Sequence, residues 1–175
     1  MKKRHLLSLL TLLIAVPTTA AAQDNFNVRR GDREAIIANE AKRDRLYNGR
    51  FHFAPAVRAG DYIFVSGVVA GAWAGEVLDR EGFAESVRAA FRSVEETLVA
   101  AGAGWDGVVR MRTFHVFDHE LIGIEKVEQF EVIAGVKDEF VPEPFSAWTG
   151  VGTTALLPDR GIVEIEMVVY DPQDG

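Results

Sequence analysis

A helical pattern over residues 81–98 is the feature that most constrains how this 175-residue chain can fold. Its apolar residues recur at steps of four, four, three and four, and they form one stripe made of Phe83, Val87, Phe91, Val94 and Leu98. The opposite side of the helix is charged, which is typical of a solvated surface. A helix with a single apolar stripe has to bury it against another layer, so the rest of the chain must supply that layer.

The segment after this helix, Gly102 to Gly107, matches the G-x-G-x-x-G pattern of dinucleotide-binding sites. In those sites the pattern follows a strand and opens a helix, whose N-terminus faces the pyrophosphate. Here it follows a helix and precedes a β-branched stretch. We therefore interpret it as a helix cap at Gly102 followed by a turn, and we expect no bound cofactor.

Strand patterns on both sides of the helix predict the missing layer. They cover residues 56–67 (two strands joined at 59–61), residues 108–117, and the strongly alternating residues 161–170. A second helix is predicted over residues 125–140, ended by Pro142 and Pro144. The most economical packing of these elements is an α+β fold, with two helices on one face of a mixed sheet.

The first 22 residues are typical of an export signal. Residues 2–4 are basic, residues 6–16 are almost all apolar, and residues 20–22 form an A-x-A cleavage pattern. The apolar stretch is much shorter than the roughly 20 residues that a membrane-spanning helix needs. We therefore expect a periplasmic or secreted mature chain that begins at Gln23 and has no membrane contact after cleavage. An uncleaved anchor is the alternative.

Charge argues against nucleic acid as a partner. The full chain has 19 basic and 26 acidic residues, and loss of the basic residues 2–4 leaves 16 against 26, a net charge of −10. A phosphate backbone attracts clustered Lys and Arg, and this chain offers the opposite sign. The chain also has no cysteine, so export supplies no disulfide.

Residues 23–50 are polar and precede the domain that we predict over residues 51–175. They contain one weak helical pattern, which runs through Ile36, Ile37 and Leu46 and includes Ala41. We interpret this stretch as an N-terminal extension that lies on the domain, and no chemistry is assigned to it.

Metal binding and covalent catalysis are not indicated. His115 and His119 are four residues apart, which on a helix suits zinc, but on a strand that spacing spans about 13 Å and is too long for one ion. No serine lies in a G-x-S-x-G motif, and with no cysteine a nucleophile is lacking. We therefore expect no metal site.

The end of the chain holds two features that raise a question about function. The stretch "FSAWTGVGTTALLP" (145–158) has few large side chains, so another backbone, another subunit or a ligand should lie against it. In the last strand, Glu164 and Glu166 face away from the apolar residues. Such a pair is usually the wet face of an antiparallel strand, and it gains chemical interest only if something covers that face.

Three stretches carry a family resemblance: "PAVRAGDYIFVSG", "VEETLVAAGAGWDGVVRMRTF" and "PFSAWTGVGTTALLPDRGIVEIEMVVY". They resemble the RidA (YjgF) family, also labelled L-PSP endoribonuclease, from about Phe53 to Tyr170. The resemblance implies a mixed sheet that carries two helices and assembles into a barrel-like homotrimer, with ligand clefts between subunits. It also implies hydrolysis of enamines and imines, such as 2-aminoacrylate, to a 2-oxo acid and ammonia.

This chain departs from the deaminating members at two positions. Their carboxylate-binding arginine is replaced by Trp148, or by Thr149 if the register is one residue later, and their tyrosine is replaced by Phe53. The matching residues imply a catalytic Glu164, which would orient a water or carry a proton to the leaving nitrogen. The implied substrate-binding residues are Trp148, Thr149, Phe53, Ser66 and Gly67.

Two functions remain open at this point. The first is a hydrolase for an imine, an enamine or a related C–N compound that has no carboxylate to clamp, with poor turnover of 2-aminoacrylate or another imino acid. The second is a non-catalytic member that binds a small ligand or acts like a chaperone. Neither function requires a cofactor or a metal.

Overall fold

The structure, a computed structural model, describes residues 26–173. The predicted signal segment, residues 1–22, lies outside these described residues. One mixed sheet of seven strands forms, and two long helices lie on one of its faces. The predicted α+β fold is confirmed. Within the described range, none of the helices is long and apolar enough to cross a membrane.

The order of elements follows the prediction from residue 56 onward. The strands are β1 (Val28–Arg30), β2 (Arg33–Ile36), β3 (Ala56–Ala59), β4 (Tyr62–Gly71), β5 (Val108–His115), β6 (Ala147–Gly152) and β7 (Gly161–Tyr170). The helices are α1 (Glu40–Lys42), α2 (Arg80–Ala101) and α3 (Lys126–Phe140). A π-helical turn (Arg43–Tyr47) follows α1, and a 3₁₀ turn (Trp105–Gly107) precedes β5.

The sheet has the strand order β1-β2-β3-β4-β7-β5-β6. Neighbouring strands are antiparallel except β5 and β6, which run parallel. The last strand in sequence, β7, therefore lies in the interior between β4 and β5, whereas β6 forms an edge. This placement brings residues from distant parts of the chain next to β7.

Helix α2 begins and ends as its sequence predicts. The Asp79 carboxylate accepts a hydrogen bond from the Gly82 N–H at 2.8 Å and caps the first turn. Gly102 has φ of 74°, the left-handed conformation, and its N–H is donated to carbonyls of the last turn. The G-x-G-x-x-G stretch is thus a helix cap and a turn, as we interpreted it.

The main core lies between the two long helices and the sheet. The predicted α2 stripe is at most 1% exposed, and the apolar residues of β7 (Val163, Ile165, Met167 and Val169) are at most 2% exposed. Each fully buried side chain of this size contributes about 1.5–3 kcal/mol. We call this side of the sheet the helix-facing side. Glu164 and Glu166 alternate to the other side, which we call the outer side.

The N-terminal extension differs from its prediction. Ile36 and Ile37 are 1% exposed, and Ile36 ends β2, which pairs antiparallel with β3. The predicted helical pattern is wrong for both isoleucines, and helical structure begins only at Glu40. The reason is tertiary, because pairing with the open edge of β3 and burial of both side chains outweigh a weak local pattern.

Aromatic rings of the same chain cover the small residues of β6. A Cβ added to Gly150 would lie 2.3 Å from Cζ of Phe130 in α3, and one added to Gly152 would lie 3.3 Å from the Phe117 ring. Only glycine fits at residue 150, because the Phe130 ring lies so close to the backbone there. On the helix-facing side, the neighbour of the stretch is its own chain.

We expect Gly150→Ala to lower the free energy of unfolding by about 1–3 kcal/mol, because the added methyl group overpacks against Phe130. Gly135→Ala is the matched control, since Gly135 lies in α3 with nothing within 4 Å of its added Cβ. There we expect a gain of about 0.5–1 kcal/mol from helix propensity. Urea unfolding measures both, and a Gly150→Ala variant as stable as wild type would contradict the packing.

Candidate functional site

A bulge interrupts β4, and Ser66 and Gly67 occupy it. The Ser66 N–H donates to the Pro55 carbonyl at 2.9 Å, and its hydroxyl donates to the Ala54 carbonyl at 2.8 Å. These bonds hold the segment that contains Phe53 beside the bulge. Because its proton is already donated to the backbone, the Ser66 hydroxyl positions neighbouring residues and is not set up as a nucleophile.

The carboxylate of Glu164 lies directly against Gly67. A Cβ added to Gly67 would lie 1.8 Å from Oε1 of Glu164 and 2.6 Å from Cδ. The carboxylate thus fills the space that any side chain at residue 67 would need. Within residues 26–173, the Glu164 carboxylate makes no hydrogen bond or ion pair. Its lone pairs therefore remain available for a water molecule or a ligand.

The surroundings of Glu164 disfavour its charged form. Burial raises the pKa of its carboxyl, and the nearby charge of Glu166 raises that pKa further. Glu166 is itself 3.6 Å from the guanidinium of Arg112. A carboxyl with a raised pKa and without a bound partner is suited to taking up and returning a proton.

A cavity of about 400 Å³ lies beside the bulge, between β4, α2 and the segment that precedes β3. Three predicted site residues, Phe53, Ser66 and Gly67, line it. Glu164 does not line this cavity and reaches its border through the contact with Gly67. The bulge therefore lies between the Glu164 carboxylate and a space of small-molecule size.

The two other predicted substrate-binding residues lie elsewhere in the chain. Trp148 and Thr149 are on the edge strand β6, and both β7 and β5 separate that strand from β4. Adjacent strands are about 4.8 Å apart, which puts β6 roughly 14 Å from β4. Within a single chain these two residues do not join Phe53 or Gly67.

Trp148 and Glu164 lie on opposite sides of the sheet. Trp148 is on the helix-facing side, where its ring stacks on Phe130 with centroids 5.4 Å apart. Its indole N–H donates to Thr113 Oγ1 at 3.0 Å. Glu164 is on the outer side, and successive residues of a strand alternate between sides. Thr149, the alternative register, is the residue that faces outward.

The two histidines that were weighed as a metal pair have separate partners. His115 is fully buried between the rings of Phe117 and Phe130, at centroid distances of 4.8 and 4.5 Å. Burial lowers the pKa of His115 to about 4, so its ring is neutral at pH 7. His119 Nε2 lies 2.9 Å from the Asp159 carbonyl. Among the described residues, no group of three or more His, Cys, Asp or Glu could hold a metal ion.

Sequence reasoning missed the part that the N-terminal extension plays. Lys42, Arg45 and Leu46 line the cavity, although no chemistry was assigned to residues 23–50. Trp73, just after β4, lines it as well. No motif marks these residues, and it is contacts between distant segments, such as the pairing of β2 with β3 and the bond from Lys42 to Ser93, that bring the extension next to the bulge.

Comparison with known proteins places the chain in a family. Residues 47–171 match the family described as Endoribonuclease L-PSP. The chain belongs to this family. The RutC family protein YjgH of Escherichia coli (strain K12) is 36% identical over 126 residues, which are 71% of this chain and 86% of that protein. The L-PSP family resemblance inferred from sequence is thus confirmed.

Solved structures of the L-PSP family have the same fold. A structure of protein YJGH has a TM-score of 0.57 and 33% identity, covering 74% of this chain and 91% of that one. RidA from the Antarctic bacterium Psychrobacter sp. PAMC 21119 has a TM-score of 0.54 and 25% identity, covering 70% and 90%. The L-PSP family match begins at residue 47, so β1, β2 and α1 precede it.

Proposed function

We propose that this protein hydrolyses the C=N bond of an imine, or of an enamine through its imine tautomer, with Glu164 as the proton-transferring residue. The observation that carries the proposal is the contact of the Glu164 carboxylate with Gly67, at the border of a cavity of about 400 Å³. The raised pKa of Glu164 supports it, because a general base works best when its pKa approaches the working pH.

The chemistry needs one carboxylate and one water molecule. Glu164 accepts a proton while the water oxygen bonds to the imine carbon and the C=N electron pair moves to nitrogen. The protonated Glu164 then returns the proton to that nitrogen, which gives a carbinolamine. Glu164 next carries the carbinolamine hydroxyl proton to the same nitrogen, so the C–N bond breaks and ammonia leaves as the carbonyl forms. The net reaction is imine plus water to carbonyl plus ammonia, and it needs no redox partner.

We further propose that the protein acts as a homotrimer whose cleft combines the bulge of one subunit with the Thr149 strand of another. Two features support this arrangement. β6 is an edge strand whose Thr149 is exposed. On the outer side, Tyr62, Phe64 and Tyr170 are 45%, 50% and 44% exposed. A neighbouring subunit would cover such a face.

The proposed substrate is larger than 2-aminoacrylate. Neither Trp148 nor Thr149 is an arginine, and Phe53 has no hydroxyl, so the clamp that the resemblance implies is absent at those positions. Each lost charged hydrogen bond costs about 1.5–3 kcal/mol. A three-carbon acid would also leave most of the cavity unfilled. An RNA substrate is not proposed, because the chain has a net charge of −7 even with residues 1–22 included.

One preparation tests the proposal. Light scattering should give the mass of three chains at micromolar concentration. The 2-imino acid made from phenylalanine by an amino acid oxidase should then lose ammonia faster than it does spontaneously, whereas 2-aminoacrylate from a dehydratase should be turned over poorly. A monomer would exclude the shared cleft. No acceleration with any imine would exclude the hydrolase and leave the non-catalytic ligand-binding alternative.

A further inference from the structure

The cavity beside the bulge has two cationic side chains, and both come from the extension that precedes the family match. Lys42 ends α1, and Arg45 lies in the π-helical turn after it. The match with the L-PSP family begins only at residue 47. Both cations therefore lie outside the residues that match the family.

The ammonium group of Lys42 binds residues of α2 and so holds the extension to that helix. Its ammonium donates to the Ser93 carbonyl at 2.7 Å and to Thr97 Oγ1 at 3.3 Å, and it lies 3.1 Å from a carboxylate oxygen of Glu96. A lysine ammonium has three protons, so these partners satisfy it. Lys42 fixes the wall of the cavity and has no donor left for a ligand.

Arg45 differs from Lys42 in this respect. Its side chain is exposed at the cavity, and within residues 26–173 its guanidinium makes no ion pair or hydrogen bond. The nearby Arg43, in contrast, lies 3.1 Å from Glu40 and 3.6 Å from Asp44. Arg45 thus presents five N–H donors and a full charge to whatever enters the cavity.

The segment that carries Arg45 is held in place. A Cβ added to Gly49 would lie 1.9 Å from the Arg45 carbonyl oxygen, so the chain turns back tightly there. The Phe53 N–H donates to the Leu46 carbonyl at 3.2 Å and ties both ends of the turn. The backbone of Arg45 is therefore positioned relative to Phe53, which lines the same cavity.

The remaining lining gives the cavity an apolar body. Leu46, Phe53, Pro55 and Trp73 contribute hydrophobic surface. We propose that the cavity binds a small amphipathic anion, with its apolar part against Phe53 and Leu46 and its anionic group on Arg45. Arginine is well suited to this role because it binds a carboxylate through two parallel N–H donors.

This inference rests on the proposed function for its choice of substrate, and it narrows that choice to a 2-imino acid with an apolar side chain. Arg45 lines the cavity and attracts a carboxylate. A 2-imino acid therefore enters with its carboxylate toward Arg45. Recognition of a carboxylate is relocated to the extension, and positions 148 and 149 need no arginine.

Equilibrium binding tests the inference without relying on catalysis. The probes are 1-anilinonaphthalene-8-sulfonate and N-phenyl-1-naphthylamine, which share an aromatic body and differ in the anionic group. Arg45→Ala should weaken the binding of the anionic dye about tenfold. This value is at the low end for a charged hydrogen bond, because Arg45 is exposed. The affinity for the neutral dye should change less than twofold. Arg43→Ala, the matched control, should leave both dyes unchanged.

Two further measurements locate the binding and identify the anion. Ala89 lines the cavity from α2, so Ala89→Trp should block both dyes. Phenylpyruvate, the 2-oxo acid that the proposed hydrolysis releases, should displace the dye from wild type and do so about tenfold less well from Arg45→Ala. Glu164→Gln should still bind, which separates binding from hydrolysis.

Three results would overturn the inference. An equal loss of affinity for both dyes in Arg45→Ala would mean that the Arg45 side chain contributes only packing. Unchanged affinity for both dyes would mean that the charge of Arg45 does not take part in binding. Unchanged binding by Ala89→Trp would place the dyes outside the cavity, for example on the exposed aromatic residues of the outer side.

Discussion

Trp148→Arg is expected to lower the free energy of unfolding by about 3–5 kcal/mol, the usual cost of losing a packed aromatic side chain. The indole stacks on Phe130 and donates to Thr113 Oγ1 on the helix-facing side. A guanidinium there loses this packing and is placed among aromatic rings, where an unpaired charge is disfavoured. No gain of imino-acid hydrolysis should accompany the change, since residue 148 does not face Glu164.

Thr149→Arg is the matched control for this prediction. Thr149 is exposed on the outer side, and its neighbour across the parallel pair is Arg112. We expect a stability change of less than about 1 kcal/mol, as is usual for a surface substitution. Urea unfolding and ammonia release should be measured on the same preparations. A stable, active Trp148→Arg variant would show that the indole faces the ligand after all.

Glu164→Gln is expected to reduce imine hydrolysis by about 10²- to 10⁴-fold, the range attributed to a positioned proton-transferring group. Glu166→Gln is the control, because Glu166 shares the strand and the outer side but lies 3.6 Å from the guanidinium of Arg112, whereas the Glu164 carboxylate fills the space beside Gly67. It should keep most of the activity. Equal losses of activity in the two variants would mean that hydrolysis depends on the total negative charge of the outer side and not on Glu164 in particular.

The same variant should not be destabilised. A carboxyl whose pKa is raised in the folded state contributes stability below its unfolded pKa and loses that contribution as pH rises through the folded pKa. Glutamine resembles the protonated form. Glu164→Gln should therefore unfold at a higher temperature than wild type at neutral pH, and the difference should vanish below the unfolded glutamate pKa of about 4.3.

Local patterns predicted most of the fold. The α2 stripe, the cap at Gly102 and the alternation in β7 depend on residues close together in sequence, and the structure has all three. The family resemblance named Glu164 and Gly67 as site residues, but neither it nor any pattern in the residues predicted their contact. Nearly 100 positions separate the two residues, and only the pairing of β4 with β7 joins them.

The errors share a cause, which is that they concern contacts between distant segments. The strand at Arg33–Ile36 forms because β3 offers an edge, and the sequence of the extension alone does not show that edge. The side on which Trp148 lies depends on the register of β6 against β5. A shift of one residue would exchange it with Thr149, and no local feature fixes that register.

The pH dependence of imine hydrolysis tests most directly whether Glu164 is the proton-transferring residue. The ionised carboxylate accepts the first proton, so kcat/KM should fall as pH drops through the pKa of Glu164 in the free enzyme. Because the charge of Glu166 helps to raise that pKa, Glu166→Gln should shift this acid limb to lower pH. An acid limb that stays at the same pH in Glu166→Gln, or one that persists in Glu164→Gln, would contradict the account.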